Sequence, residues 1–159
     1  MDAVKLLDNI GFMGPLLLFL ISIYNLRNQS PYLISYLVFF TANTLVNKIL
    51  KNIIKQKRPD NGIKIMDEPY DGSEKYGMPS GHAQSVFFST TFLYLVKGSP
   101  SWLIIELFIV ALSIYQRLKY RQHTFEQLFT GSAIGLLFAI FSFYITKQWL
   151  SGKLYPDII

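Results

Sequence analysis

Residues 116–127 form a polar stretch between two apolar runs, and they include the side chains best suited to chemistry. Three cations lie in this stretch, together with one of the chain's two histidines. The guanidinium of Arg117 is a fixed, forked donor that suits phosphate oxygens, and His123 can act as a nucleophile or a proton carrier near neutral pH. Such a pair at a membrane boundary indicates phosphoryl chemistry on a lipid. A short basic loop that anchors two membrane helices at the headgroups would have the same composition.

Gln127 follows His123 by four residues, and two interpretations of this spacing are open. If the helix includes His123, the two side chains share one face. The amide oxygen of Gln127 can then hold one ring nitrogen while the other points toward phosphorus. Alternatively, Thr124 caps the helix and Gln127 reaches back to it as part of a capping box. His123 would then lie just before the helix, and Gln127 would be structural.

The first polar stretch along the chain contains Lys51 and Arg58, seven residues apart, and residues 116–127 are the third. Seven residues are almost two helical turns, so both cations are expected on one helix face, about 10 Å apart. Their long side chains could converge on one phosphate. Pro59 disfavours helical geometry at the preceding residue, so the helix is expected to end at Arg58. An ordinary basic cluster beside a membrane would show the same pattern.

The second stretch, residues 76–84, predicts a helix start that can bind an anion. Ser80 follows a proline and is expected to cap the helix, with Gly81 and His82 in its first turn. Free backbone N–H groups and the helix dipole attract phosphate at such a position, and a glycine lets the phosphate come close to the backbone. His82 at the rim could give a proton to a leaving oxygen. The alternative is a plain capped helix with an interfacial histidine.

The rest of the chain predicts a membrane protein that positions these stretches. The 159 residues are expected to form one domain, 51% of them are hydrophobic, and only 16% are charged. The net charge of +5 comes mostly from bases beside apolar runs, which favours anionic headgroups or an anionic substrate over nucleic acid. The sequence has no cysteine, which excludes disulfides and thiolate chemistry. Five apolar runs predict an all-α, polytopic membrane bundle of about five transmembrane helices, at residues 10–26, 32–50, 80–96, 102–115 and 128–146.

Several residues within these runs have expectations of their own. Asn43 and Asn47 are one turn apart and should face protein or water rather than lipid. Gly131 and Gly135 permit close helix contact within the bundle. Glu106 lies one turn inside its run, where snorkelling toward the interface explains it better than a functional role does.

Taken together, the three polar stretches resemble the type 2 phosphatidic acid phosphatase (PAP2) superfamily. The patterns Lys-x6-Arg-Pro, Pro-Ser-Gly-His and Arg-x5-His occur in that family's order over roughly residues 43–138. The closer likeness is to the dolichyldiphosphatase branch, because the pattern His-Thr-x-x-Gln that ends at Gln127 precedes a glycine-rich helix. Gln116 and Gln127 depart from the wider family, which has Ser and Asp there. Gly81 departs from the branch, which often has Ser.

The resemblance implies an integral membrane phosphatase, in the endoplasmic reticulum if the cell is eukaryotic, that cleaves a polyprenyl diphosphate such as dolichyl diphosphate. Phosphatidate or another phospholipid is the second choice, and a catalytically weak protein that binds phospholipid is the alternative to an enzyme. His123 would attack phosphorus to form a phosphohistidine, oriented by Gln127, while His82 would protonate the leaving group and then activate water. No metal or other cofactor is needed. The residues that would bind the phosphate oxygens are Lys51, Arg58, Ser80, Gly81 and Arg117.

Overall fold

The computed structural model describes residues 3–60, 62–63 and 75–154, and it confirms the predicted all-α membrane bundle. A single isolated antiparallel bridge, Lys57 with Tyr76, is the β-type pairing recorded within those residues. The six helices of this part of the chain are α1 (Ala3–Phe12), α2 (Gly14–Leu26), α3 (Ser30–Ile54), α4 (Gly81–Lys97), α5 (Pro100–Lys119) and α6 (Phe125–Leu154).

Three of these described helices, α3, α5 and α6, are long and apolar enough to cross a membrane. The pair α1 and α2 makes a fourth candidate if it counts as one span, although it bends by 67° at the break before Gly14. Large apolar side chains such as Ile104 (70% exposed) and Phe129 (66% exposed) cover the outside of the long helices. An apolar exterior of this extent suits lipid rather than water as its surroundings, as expected of an integral membrane protein.

Helix α4, predicted as one of the five spans, has only 17 residues and is not among the helices that are long and apolar enough to cross a membrane. It lies at the centre of the bundle, where α2, α3, α5 and α6 all pack against it. Its Phe88 and Phe92 are fully buried, and the ring of Tyr36 from α3 packs against both. Its polar side chains are also enclosed: Ser89 is hydrogen-bonded to the Tyr36 hydroxyl at 2.8 Å. The mixed composition of α4 therefore reflects contact with other helices rather than with lipid.

Two glycines of α6 bring that helix into contact with α4, as their spacing predicted. A Cβ atom on Gly131 would collide with the carbonyl oxygen of Ser80, and one on Gly135 would collide with that of Gln84. Backbone therefore touches backbone along this interface, which is the arrangement that small residues permit between membrane helices. The contact fixes the start of α4 against α6, and both helices carry a histidine motif at that end.

The expectation for Glu106 was wrong. Its side chain does not reach the interface, because it lies 1% exposed on the inner face of α5 together with Val110 and Ser113. That face packs on Leu18 of α2 and Val86 of α4. One carboxyl oxygen has no hydrogen-bond partner among the described residues.

Candidate active site

The second and third polar stretches meet where α4 begins and α5 ends. Arg117 lies in the last turn of α5 and is 4% exposed. Its guanidinium contacts Nε2 of His82, in the first turn of α4, and lies 5.2 Å from the ring of Phe12. The Phe12 carbonyl oxygen is 3.1 Å from the same His82 nitrogen. The end of α1 therefore covers this Arg–His pair from one side.

The start of α4 is capped as the sequence predicted, but Ser80 is more enclosed than a simple phosphate ligand would be. Its hydroxyl accepts a hydrogen bond from the Ala83 N–H at 3.4 Å, which satisfies one of the unpaired donors of the first turn. Its own N–H donates to the carbonyl of Gln127 at 3.0 Å, and the residue is fully buried. Gly81 follows close to α3: a Cβ atom there would lie 3.2 Å from Oδ1 of Asn47, so the Asn47 side chain would have to move slightly to admit one.

A chain of buried amides fixes this helix start from α3. Asn47 donates from Nδ2 to the carbonyl of Pro79 at 3.2 Å and to Oε1 of Gln84 at 2.8 Å. Gln84 in turn donates from Nε2 to Oδ1 of Asn43 at 2.8 Å. Both asparagines thus face protein, as their spacing predicted, and buried, paired amides of this kind hold a single geometry.

The first polar stretch differs from its prediction. Helix α3 ends at Ile54 rather than at Arg58, because Lys55 adopts a left-handed conformation (φ 53°) as the C-cap. Beyond it the backbone pairs with residues 76–77 instead of continuing the helix: the Gly77 N–H donates to the Gln56 carbonyl at 2.7 Å. Lys51 and Arg58 therefore do not share a helix face. Arg58 instead reaches the third stretch, where its guanidinium donates to Oε1 of Gln122 at 3.0 Å.

For His123 and Gln127, the capping-box interpretation is confirmed, and the contact expected from the other interpretation forms as well although the helix does not include His123. Helix α6 begins at Phe125, so His123 lies before it. Thr124 and Gln127 form the reciprocal capping box, with both of its hydrogen bonds at 3.3 Å. The same Oε1 of Gln127 also lies 3.1 Å from Nδ1 of His123. One amide therefore both caps the helix and orients the imidazole.

The partners of Gln127 determine which ring nitrogen of His123 carries the proton. The Gln127 amide also contacts the Lys57 carbonyl, at 2.8 Å, and a carbonyl can only accept. Its nitrogen must therefore face Lys57, and its oxygen must face His123. Nδ1 of His123 is then the donor, which leaves the lone pair on Nε2. A neutral imidazole in this tautomer can attack phosphorus through Nε2.

The electrostatic surroundings keep this ring neutral. Burial lowers the pKa of His123 to about 3, and the charges of Arg58, Lys51 and Arg117 act in the same direction, opposed by the hydrogen bond to Gln127. All three predicted cations thus act on one imidazole that is 4% exposed. A site with this much positive charge around a neutral imidazole favours an anionic ligand such as a phosphate.

Residues that could hold a metal are not grouped in the described part of the chain, where no cluster of three or more histidines and carboxylates occurs. Two residues absent from the sequence reasoning complete the arrangement. Gln56 accepts a hydrogen bond from Nε2 of Gln127 at 2.9 Å. Gly77 leaves the space that the Gln127 side chain fills, since a Cβ atom there would collide with it. Both residues lie inside the polar stretches that the sequence singles out, but no sequence pattern assigned a role to either.

Comparison with known proteins gives a family match and several similar proteins. The profile of the PAP2 superfamily matches residues 32–151. Dolichyldiphosphatase 1 of Homo sapiens is 34% identical over 142 residues, and that of Mus musculus is 32% identical over 145; each alignment covers 79% of this chain and 57% of the relative. Lipid phosphate phosphatase gamma of Arabidopsis thaliana is 25% identical over 122 residues, covering 70% of this chain and 50% of the relative. The chain thus spans little more than half the length of these relatives.

A solved structure shows the same fold. It is the crystal structure of a transmembrane PAP2 type phosphatidylglycerolphosphate phosphatase from Bacillus subtilis, with a TM-score of 0.64 over 92% of this chain and 76% of that one. At 19% sequence identity the likeness is one of fold alone.

Proposed function

The chain belongs to the PAP2 superfamily, and from that premise we propose that it is a metal-independent lipid phosphatase. Its reaction is removal of the terminal phosphate of a polyprenyl diphosphate, such as dolichyl diphosphate, through a phosphohistidine intermediate. The dolichyldiphosphatases among its relatives favour this substrate class. In a eukaryotic cell we expect the protein in the endoplasmic reticulum.

The observation that carries the proposal is the environment of His123. Its imidazole is neutral, buried among three cations, and carries its proton on Nδ1 because that atom faces the amide oxygen of Gln127. In the first step the Nε2 lone pair attacks the terminal phosphorus, and the bond from that phosphorus to the bridging oxygen breaks. His82 donates a proton to the departing polyprenyl monophosphate. In the second step His82 accepts a proton from water, the water oxygen attacks the phosphorus, and the phosphorus–Nε2 bond breaks, which releases inorganic phosphate and returns the lone pair to His123.

The cations supply the main stabilisation in both steps. A phosphoryl group in transfer spreads negative charge over its equatorial oxygens, so fixed positive groups act mostly on the transition state. Arg117 and Arg58 are forked donors held by neighbouring side chains, and Lys51 adds a third charge from the last turn of α3. Each charge-assisted contact contributes roughly 1.5–3 kcal/mol.

A cavity next to His82 supports a lipid substrate. Its volume is about 350 Å³, and it lies between the α1–α2 break, α3 and α4. The side chains of Phe12, Met13 and Leu16 make its wall largely apolar. Because His82 protonates the leaving group in this mechanism, the apolar part of the substrate would lie on this side of the phosphate. A phospholipid is the second candidate, favoured by the similarity to a lipid phosphate phosphatase.

The test is phosphate release from dolichyl diphosphate in detergent micelles with a chelator present. Wild type should release phosphate, and His82→Ala should be slower by about 10²–10⁴-fold, with His123→Ala lower still. Equal release by all three proteins would refute the proposal, as would a requirement for added metal. A panel with phosphatidate and phosphatidylglycerophosphate decides the substrate: faster release from either of these would replace the polyprenyl diphosphate with a phospholipid.

A further inference from the structure

Gln127 is the point at which all three polar stretches are joined. Its side chain reaches the first stretch at Gln56 and Lys57 and the third at His123 and Thr124. Its backbone carbonyl accepts the N–H of Ser80 in the second. The residue is fully buried, so all of these contacts are made without competition from water.

Gln56 stands behind Gln127 in this network. Its side-chain oxygen accepts from Gln127 Nε2 at 2.9 Å, next to the Lys57 carbonyl that accepts from the same nitrogen at 2.8 Å. Its backbone carbonyl is itself fixed by the Gly77 N–H. Both protons of the Gln127 amide are thereby directed away from His123. In the opposite orientation the amide nitrogen of Gln127 would face the Thr124 N–H, donor against donor. The amide oxygen would face the Lys57 carbonyl, acceptor against acceptor.

We propose that Gln56 is a positioning residue for the reaction: together with the Lys57 carbonyl it fixes the Gln127 amide, and through it the tautomer that leaves Nε2 of His123 available to attack phosphorus. The catalytic consequence rests on the proposed function, whereas the effect on the tautomer does not.

The network also explains why an amide rather than a carboxylate suits residue 127. A carboxylate at residue 127 would face two acceptors, Oε1 of Gln56 and the Lys57 carbonyl, with no proton to share. An amide satisfies these acceptors and still presents an oxygen to His123. In this chain the orienting residue therefore has to be a donor as well as an acceptor.

Two substitutions at residue 56 separate positioning from simple packing. Gln56→Leu removes one of the two acceptors and leaves one amide proton of Gln127 unpaired, so that only the Lys57 carbonyl still holds the amide nitrogen and the preference for one orientation is weaker. Gln56→Glu keeps the acceptor and adds a negative charge, which polarises the Gln127 amide and makes its oxygen a stronger acceptor. The charged and titratable groups that also face His123 are unchanged: Lys51 from α3, Arg58 after it, His82 from α4 and Arg117 from α5.

The experiment is ¹⁵N NMR of histidine-labelled full-length protein in detergent micelles. The chain has two histidines, so the signals that disappear in His123→Asn belong to His123 and those that remain belong to His82. Wild type and Gln56→Glu should both show the Nδ1–H tautomer at His123, with protonation at higher pH in Gln56→Glu. Gln56→Leu should show a mixture of tautomers. The exposed Gln148 on α6 gives the matched control, Gln148→Leu, which should resemble wild type.

Kinetics give the second readout. Gln56→Leu should lower kcat by about tenfold, the effect of one hydrogen bond, with little change in KM, and Gln56→Glu should retain most of the rate. A single wild-type-like tautomer in Gln56→Leu would overturn the proposal, as would equal loss of rate in Gln56→Leu and Gln56→Glu. If the wild type releases no phosphate from any lipid, the proposed function fails, and the tautomer measurement still decides the role of Gln56.

Discussion

Replacing Gly131 by alanine tests whether the contact between α6 and α4 positions the site. A Cβ atom at residue 131 would collide with the Ser80 carbonyl oxygen and would lie 3.2 Å from the Ser80 nitrogen and 3.3 Å from Cβ of Ala83. Backbone atoms cannot move aside as a flexible side chain can, so the start of α4 must shift. Overpacking of this kind costs about 1–3 kcal/mol of stability.

The same shift would displace His82, two residues after Ser80. A misplacement of about 1 Å in a catalytic group can lower a rate by about 10²-fold. We therefore expect Gly131→Ala to lose about two orders of magnitude in kcat for phosphate release from dolichyl diphosphate. Its thermal unfolding midpoint, followed by circular dichroism in the same micelles, should fall as well.

Gly152 provides the matched control, because a Cβ atom there meets nothing within 4 Å and the residue also lies in α6. Gly152→Ala should keep full activity and should be neutral or more stable by up to about 1 kcal/mol, since alanine is the better helix former. The reasoning is refuted if Gly131→Ala matches Gly152→Ala in both rate and unfolding midpoint.

Three further predictions concern charge. The pKa of His123 is about 3 in the folded protein, against 6.5 for an ordinary histidine, so the unfolded state binds more protons than the folded state as the pH falls below 6.5. The thermal unfolding midpoint should therefore drop on acidification toward pH 4, and it should drop less in His123→Asn. Arg117→Lys keeps the positive charge but loses the forked pair of donors of the guanidinium, so kcat/KM should fall by about 10–100-fold. An unchanged kcat/KM in a phosphate-release assay would contradict the proposed binding of phosphate by Arg117. The Asp8 carboxylate accepts hydrogen bonds from Lys119 Nζ at 2.6 Å and from the Tyr120 hydroxyl at 2.8 Å. Asp8→Ala should lower the free energy of unfolding, measured in denaturant, by about 1 kcal/mol. Asp2→Ala, at an acidic residue outside the described region, is the control.

Motif spacing indicated which side chains could carry chemistry, because histidine, arginine and a capped helix start have properties that depend little on their neighbours. His82, His123 and Arg117 lie at or beside helix ends, and the charge of Arg117 contributes to lowering the pKa of both histidines. The start of α4 at Ser80 followed from a local capping rule that tertiary structure did not override.

The end of α3 could not be predicted by the same means. The local rule that Pro59 ends a helix at the residue before it allowed the helix to reach Arg58. The chain leaves the helix four residues earlier because residues 56–57 pair with residues 76–77, which are distant in sequence. The same pairing brings Gln56 to Gln127, and no pattern within either stretch could have indicated it.

Burial inside a membrane was the other limit. Apolar runs identify segments that avoid water, but they do not distinguish contact with lipid from contact with another helix. Helix α4 was therefore counted as a span although other helices enclose it, and Glu106 was assigned to the interface although it lies inside the bundle. For Gln127, the sequence supported a capping role and an orienting role as alternatives, and the structure shows that one amide performs both.

The most direct test of a phosphohistidine intermediate at His123 is rapid-quench trapping of the phosphoenzyme. Dolichyl diphosphate labelled with ³²P in its terminal phosphate is mixed with enzyme, quenched under alkaline conditions within one turnover, and mapped by peptide sequencing. The account predicts an alkali-stable, acid-labile label on His123 that is absent from His123→Ala. Label on His82, on a serine or on a carboxylate, or phosphate release with no phosphoenzyme at any time, would contradict it.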